Sequence, residues 1–180
     1  MSMTGSDALR ALLTTQLDAT VARRSHTEIL RAIPAPARGV LPDGLPEAYS
    51  LWQILEHMRR SQADYLRYCT DPNYTFSAWP DDYWPDALGP PSDAAWTKSL
   101  NQFQADLQDV RMLVNNPSID MAGEIPHASG VGYHSTRYAE EIGSIADHNA
   151  YHLGQVVTVR RLLGIWPPCN LKETDWSAPE

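Results

Sequence analysis

The sequence predicts an all-α fold, a four-helix bundle with crossover connections, on three observations. The 14 prolines of the 180-residue chain are clustered, leaving the windows 1–33, 47–71, 92–116 and 127–166 without any. Proline inside a helix costs about 3 kcal/mol, so proline-free windows set between proline clusters are where helices can run. Each window carries apolar residues three and four positions apart, the spacing of one helix face. No segment sustains the apolar/polar alternation of a half-buried strand.

The first helix, about 6–33, takes Ser6 as N-cap, places Asp7 in its first turn and presents Leu9, Leu12, Leu13 and Leu17. Residues 34–46 hold four prolines with Gly39 and Gly44 and form a connecting loop. The second helix, 50–69, opens at Ser50 and carries the stripe Leu51, Ile54, Leu55, Met58, Tyr65 and Leu66. Residues 70–91 contain five prolines, too many for a long helix, yet include Tyr74, Phe76, Trp79, Tyr83 and Trp84. Five aromatics in a crossover must bury against the bundle, as a pocket wall, or against a partner chain.

The third helix, 92–115, has Ser92 as N-cap, a face of Trp96, Leu100, Phe103, Leu107, Val110 and Val114, and a stop at Asn115-Asn116-Pro117. A second connection, 117–134, holds Gly123, Gly130 and Gly132 together with His127 and His134. The fourth helix, 136–163, starts at Ser135 or Thr136 and ends at Gly164, with Pro167 and Pro168 beyond. The tail, 165–180, is expected to pack partly on the bundle. Together these elements predict one domain.

Composition narrows the function. Fourteen Lys and Arg against 22 Asp and Glu leave a net charge of −8, which argues against nucleic acid as a partner. No apolar run reaches the ~18 residues of a membrane span, and Met1 to Asp18 lacks the basic-then-apolar order of a secretory leader. Cys69 and Cys169 form no CxxC pair. Two unpaired thiols suit a cytoplasmic location.

The chemistry concentrates in the fourth helix, His148-Asn149-Ala150-Tyr151-His152-Leu153-Gly154-Gln155. Histidines at i and i+4 share one face, and here that face also carries Ile142, Ile145, Val156, Val159 and Leu163. Two imidazoles pointing into a bundle are costly unless each nitrogen finds a partner. A transition metal supplies one, and a pair one turn apart can grip a single ion. A third ligand must then come from another helix; His57, at the border of the second helix's apolar stripe, is the candidate. Taken singly, each histidine also reads as an ordinary hydrogen-bonded side chain.

YSLWQILEHM in the second helix and HNAYHLGQVVTVRRLLG in the fourth resemble the DinB-like (damage-inducible) superfamily of metal-binding four-helix bundles, over roughly residues 5–166. The resemblance implies that His57, His148 and His152 bind one divalent transition metal, Zn or Ni foremost, with Fe or Mn as alternatives. It also implies a metal-dependent thiol S-transferase joining a low-molecular-weight thiol to a small electrophile in detoxification or stress response, and a homodimer. Metal-dependent hydrolysis and a non-enzymatic metal-binding dimeric bundle are the alternatives. Sulfoxide synthases on a similar domain carry His-x-x-x-His-x-Glu; Gly154 stands at the last position here.

Hydrolysis usually needs a general base. Glu56 and Asp147 each precede a ligand and turn away from it. Gln155, seven residues after His148, shares its face and is the candidate to hydrogen-bond a ligand imidazole; Glu141, seven residues before, shares the face two turns, about 10 Å, away and is the second candidate to stand behind the ligands. Tyr65 and His134 are the candidate pocket residues for substrate. Gly154 is expected to allow close helix approach.

Overall fold

Hydroxyl caps determine where most of the helices begin. In the computed structural model, which describes residues 4–18, 25–31, 33–128 and 134–166, the helices are α1 (Gly5–Asp18), α2 (His26–Arg31), α3 (Leu51–Thr70), α4 (Asp93–Asn115) and α5 (Tyr138–Leu162), with a 3-10 turn at Ala35–Ala37. Among the described residues the only β-type pairing is an isolated antiparallel bridge between Glu124 and Arg137. Ser50 and Gln53 cap each other: the Ser50 hydroxyl accepts from the Gln53 N–H and the Gln53 side chain from the Ser50 N–H, each at 3.1 Å. Ser92 caps α4 through the Ala95 N–H at 3.1 Å. Gly164, with φ +70°, takes the left-handed conformation that ends α5.

Three boundaries differ from expectation. The helix predicted over 6–33 is two helices, with Ser25 non-helical before α2; residues 19–24 lie outside the described residues. The cause is a second capping box. The Ser25 hydroxyl accepts from the Glu28 N–H at 3.2 Å and the Glu28 carboxylate from the Ser25 N–H at 2.7 Å. An N-cap residue leaves the helical backbone region, so this motif starts a new helix. Thr4, not Ser6, caps α1 through the Asp7 N–H, while Ser6 accepts instead from the Met121 N–H. The last helix begins at Tyr138 because the preceding backbone is already committed. The Ser135 N–H donates to Glu141, the Thr136 carbonyl accepts from the Ile125 N–H, and Arg137 bridges Glu124.

Side-chain meetings give the helix directions. Trp52 meets Trp96, and the Gln62 amide donates to the Phe103 carbonyl at 2.7 Å, so α3 and α4 run parallel. Gln62 also accepts from Asn149, and Tyr65 meets His148, so α5 runs antiparallel to α3. Arg10 donates to the Val114 carbonyl, Asp18 pairs with Arg111, and Thr27 accepts from Gln104; α1 and α2 run antiparallel to α4. Two parallel neighbours cannot be joined by a tight turn, and α3 is 20 residues, about 30 Å, long. Residues 71–92 must therefore travel back along the helices, which carries their aromatics past α3.

The core has two main parts. Leu13 and Leu17 of α1 pack with Leu107, Val110, Val114, Ile142 and Ile145, whereas Ile29 and Leu30 of α2 pack with Leu55, Met58, Phe103 and Val156. The two short helices thus cover successive lengths of α4 and α5. Gly39 lies so close to Gly89 that an added Cβ would stand 2.8 Å from the Gly89 Cα, which joins the loop before α3 to the end of the crossover. Of the tail, Ile165 and Trp166 pack on the core, with the Arg160 guanidinium 5.0 Å from the Trp166 ring centre; 167–180 lie outside the described residues. No helix among the described residues is long and apolar enough to cross a membrane.

Candidate metal centre

Antiparallel packing of α3 on α5 brings His57 against both histidines of α5. The His57 ring centre lies 4.9 Å from that of His148 and 4.6 Å from that of His152, and the latter two are 4.5 Å apart. Nε2 of His57 and Nε2 of His148 are 3.0 Å apart, and one nitrogen from each of the three falls within 4.8 Å of the others. An ion with tetrahedral bonds of ~2.1 Å separates its donors by roughly 3.4 Å, a spacing these nitrogens bracket, so small side-chain shifts fit the set to one ion.

The remaining ring nitrogens are placed to support that use. His152 Nδ1 lies 2.7 Å from the Gln155 side-chain oxygen, an acceptor, so Nδ1 carries the proton and Nε2 keeps its lone pair. His57 Nδ1 is buried and makes no hydrogen bond of good geometry, and the Tyr83 backbone is a polar neighbour of the residue. Burial, reinforced by the other imidazoles, pushes His57 down to about 3 and His148 to about 4; burial also lowers His152. All three are therefore neutral at pH 7, the form a metal ligand requires. The chemistry of the donors, three neutral nitrogens, suits Zn, Ni, Fe or Cu.

The crossover roofs these histidines. The Trp84 ring stacks on His57 at 3.8 Å and 6°, and Tyr49 stacks on Trp84 at 3.9 Å. Trp79 stands edge-on to His57 and Tyr151 edge-on to His152. The cavity so enclosed is about 700 Å3, opens to solvent, and is also lined by Ser61, Tyr65, Tyr83 and Gln155. Among the described residues no Asp, Glu, Lys or Arg lines it. Glu56 is turned away, held by Arg59 and Arg60, and Asp147 is exposed.

Tyr65 and Gln155 stand at the site, but Glu141 and His134 do not fill the places expected of them. Glu141 hydrogen-bonds none of the three histidines: it is buried against Nδ1 of His134 and accepts the Ser135 N–H at 2.7 Å. Two turns of α5, about 10 Å, keep Glu141 out of reach of His148, and His134, just before α5, takes its carboxylate instead. His134 is therefore buried rather than exposed in a loop, and does not line the cavity. Its ring stacks on Tyr68 at 4.1 Å, with Nε2 3.0 Å from the Tyr74 hydroxyl and 3.4 Å from Asp64. Burial pulls His134 down, but hydrogen bonds to Asp64 and Glu141 and their charges overturn this and hold it at about 9. Gly154 also departs from expectation: an added Cβ would meet open space, so no helix approaches it closely.

Asp64 escaped the sequence reading. It accepts hydrogen bonds from Tyr83 at 2.6 Å, Tyr74 at 3.0 Å and Ser77 at 3.1 Å, and pairs with Arg67. Burial raises its pKa, but the His134, Tyr83 and other hydrogen bonds prevail and hold it at about 2. Asp64 thus pins the crossover to α3 through Tyr83, whose neighbour Trp84 covers His57. Its signal was visible: an acid seven residues after His57, on the same helix face.

No family model, curated protein or solved structure matches the chain.

Proposed function

We propose that the chain is a DinB-like four-helix bundle with crossover connections whose His57, His148 and His152 hold one divalent transition metal, Zn or Ni, and that it transfers a low-molecular-weight thiol to a small electrophile in detoxification or stress response. The observation that carries this reading is the convergence of three neutral imidazoles on the floor of an open, aromatic-walled cavity. The parallel course of α3 and α4, which requires a long crossing between them, supports the bundle topology.

His57, His148 and His152 would hold the ion, whose charge would supply the acidity that favours the thiolate form of the thiol. The protein's own part is positioning. Gln155 fixes the tautomer and orientation of His152. Trp84, stacked on His57 at 3.8 Å, covers that imidazole from the crossover side. In the transfer, the thiol proton leaves to solvent, the sulfur forms a bond to the electrophilic carbon, and the leaving group departs with its bonding pair. The lining favours transfer over hydrolysis, because among the described residues no carboxylate lines the cavity to deprotonate water.

The test is conjugation of monochlorobimane with a panel of cysteine, cysteamine, mercaptoethanol and glutathione, followed by fluorescence. Metal-loaded protein should accelerate conjugation with at least one thiol, and EDTA treatment or His152→Ala should abolish the acceleration. Absence of metal-dependent acceleration with every thiol would refute the transferase reading.

A further inference from the structure

A second cavity adjoins the one at the three histidines. It holds about 560 Å3 between the loop before α3 and α5, and shares Tyr49, Tyr151 and Gln155 with the first. Its other walls are largely apolar: Pro42, Leu45 and Ala48 of the loop, Ile54 of α3, and Val159 and Leu162 of α5. Glu47 and Thr158, both exposed, also line it. Tyr49, Leu45, Leu162 and Tyr151 are 44%, 47%, 56% and 65% exposed. Single apolar residues at a surface are ordinary, but four around one groove form a patch that binding can cover.

Gly154 belongs to this groove, and an added Cβ there would meet no atom within 4 Å. Glycine is among the poorest helix formers, so α5 gives up stability at a position where a side chain would stand in open space beside these walls. His152, Gln155, Val159 and Leu162 follow one another at spacings of three and four, so one strip of α5 leads from the histidines into the second cavity. From His152 to Leu162 that strip runs ten positions, about 15 Å.

We infer that the two cavities form one elongated site, in which the electrophile of the proposed reaction lays an aliphatic tail along α5, over Gly154 toward Leu162. The electrophile takes the groove because a small polar thiol gains nothing from apolar walls. A methylene chain entering it leaves water against Leu45, Ile54 and Val159, whatever the charge of the reactive head. The inference rests on the proposed function only for the head and its reaction; the groove itself requires no ion.

Calorimetric titration of the full chain, zinc-loaded and after EDTA treatment, with straight-chain hydroxamates of two to ten carbons tests it, the hydroxamate head being a metal chelator. A methylene fully buried is worth about 4-fold in affinity, and one in a groove open on one side roughly 2-fold. Affinity for zinc-loaded wild type should therefore rise about 2-fold per methylene. After EDTA treatment the ten-carbon chain should still bind about 4-fold more tightly than the eight-carbon one. Gly154→Phe fills the groove at a position where the helix gains by losing glycine. It should abolish the rise and leave acetohydroxamate bound as in wild type. Leu162→Asn, at an exposed position, should weaken only the longest chains, by roughly 3-fold. Affinity that does not rise with chain length, or that rises equally in Gly154→Phe, would overturn the inference. A wild-type dimer that Gly154→Phe dissociates, with no effect of chain length, would assign the groove to a second copy and overturn it too. If the rise is seen but acetohydroxamate binds equally with and without zinc, the metal reading fails and the groove stands. If acetohydroxamate needs zinc and no rise is seen, the groove alone fails.

Discussion

Glu141→Gln isolates the buried charge cluster behind the pocket wall. The substitution keeps shape and an acceptor for the Ser135 N–H but removes one of the two carboxylates facing His134. Raising His134 from 6.5 to about 9 favours the imidazolium by about 3 kcal/mol, at 1.36 kcal/mol per pKa unit. Asp64 and Glu141 both hydrogen-bond the ring and both charges raise its pKa, so Glu141 supplies about half. Glu141→Gln should therefore cost about 2 kcal/mol, below the 3–5 kcal/mol of a buried pair broken outright, because Asp64 remains. A folded pKa above the unfolded value stabilises fully below pH ~6.5 and is lost as pH rises through about 9. Urea unfolding of wild type and variant at pH 6, 8 and 10 should show the difference shrinking toward zero at the highest pH. A difference below ~0.5 kcal/mol at pH 6, or one constant across this range, would refute an imidazolium held between two carboxylates.

Tyr83→Phe removes the 2.6 Å hydrogen bond to Asp64 and should cost about 1.5–3 kcal/mol in urea unfolding. It should also slow bimane conjugation by loosening the wall that carries Trp84. Ser50→Ala should lower stability by about 2 kcal/mol, the upper end for a cap, because the buried hydroxyl also donates to the Leu88 carbonyl at 2.5 Å. Metal-free protein should lose stability between pH 6.5 and 4.5. His57 and His148, depressed to about 3 and 4, stay neutral when folded but protonate when unfolded, so falling pH favours the unfolded chain. A urea midpoint unchanged between pH 7 and pH 5 would contradict burial of neutral imidazoles.

Much of the fold was legible because its signals are local. Proline spacing and the serine caps at Ser50 and Ser92 marked α3 and α4, and apolar spacing identified the faces that form the core. The break between α1 and α2 was equally local, written in Ser25 and Glu28, but the apolar stripe and lack of proline suggested continuity across it. The histidine cluster was legible because His148 and His152 share one turn, and His57 borders the face that α3 turns to them. The pocket wall and the Asp64–His134–Glu141 cluster were not. Their contacts reach across up to 70 residues, from Asp64 to His134, and depend on how two irregular connections fold back, which periodicity does not encode.

The central claim is that His57, His148 and His152 bind one metal ion. Metal analysis of purified protein, repeated on His152→Ala and on Glu141→Gln as a control away from the three histidines, tests it most directly. About one transition-metal ion per chain should be found in wild type and Glu141→Gln, and almost none in His152→Ala that remains folded by circular dichroism. Metal-free wild type that takes up no zinc or nickel, or His152→Ala with undiminished metal, would contradict it.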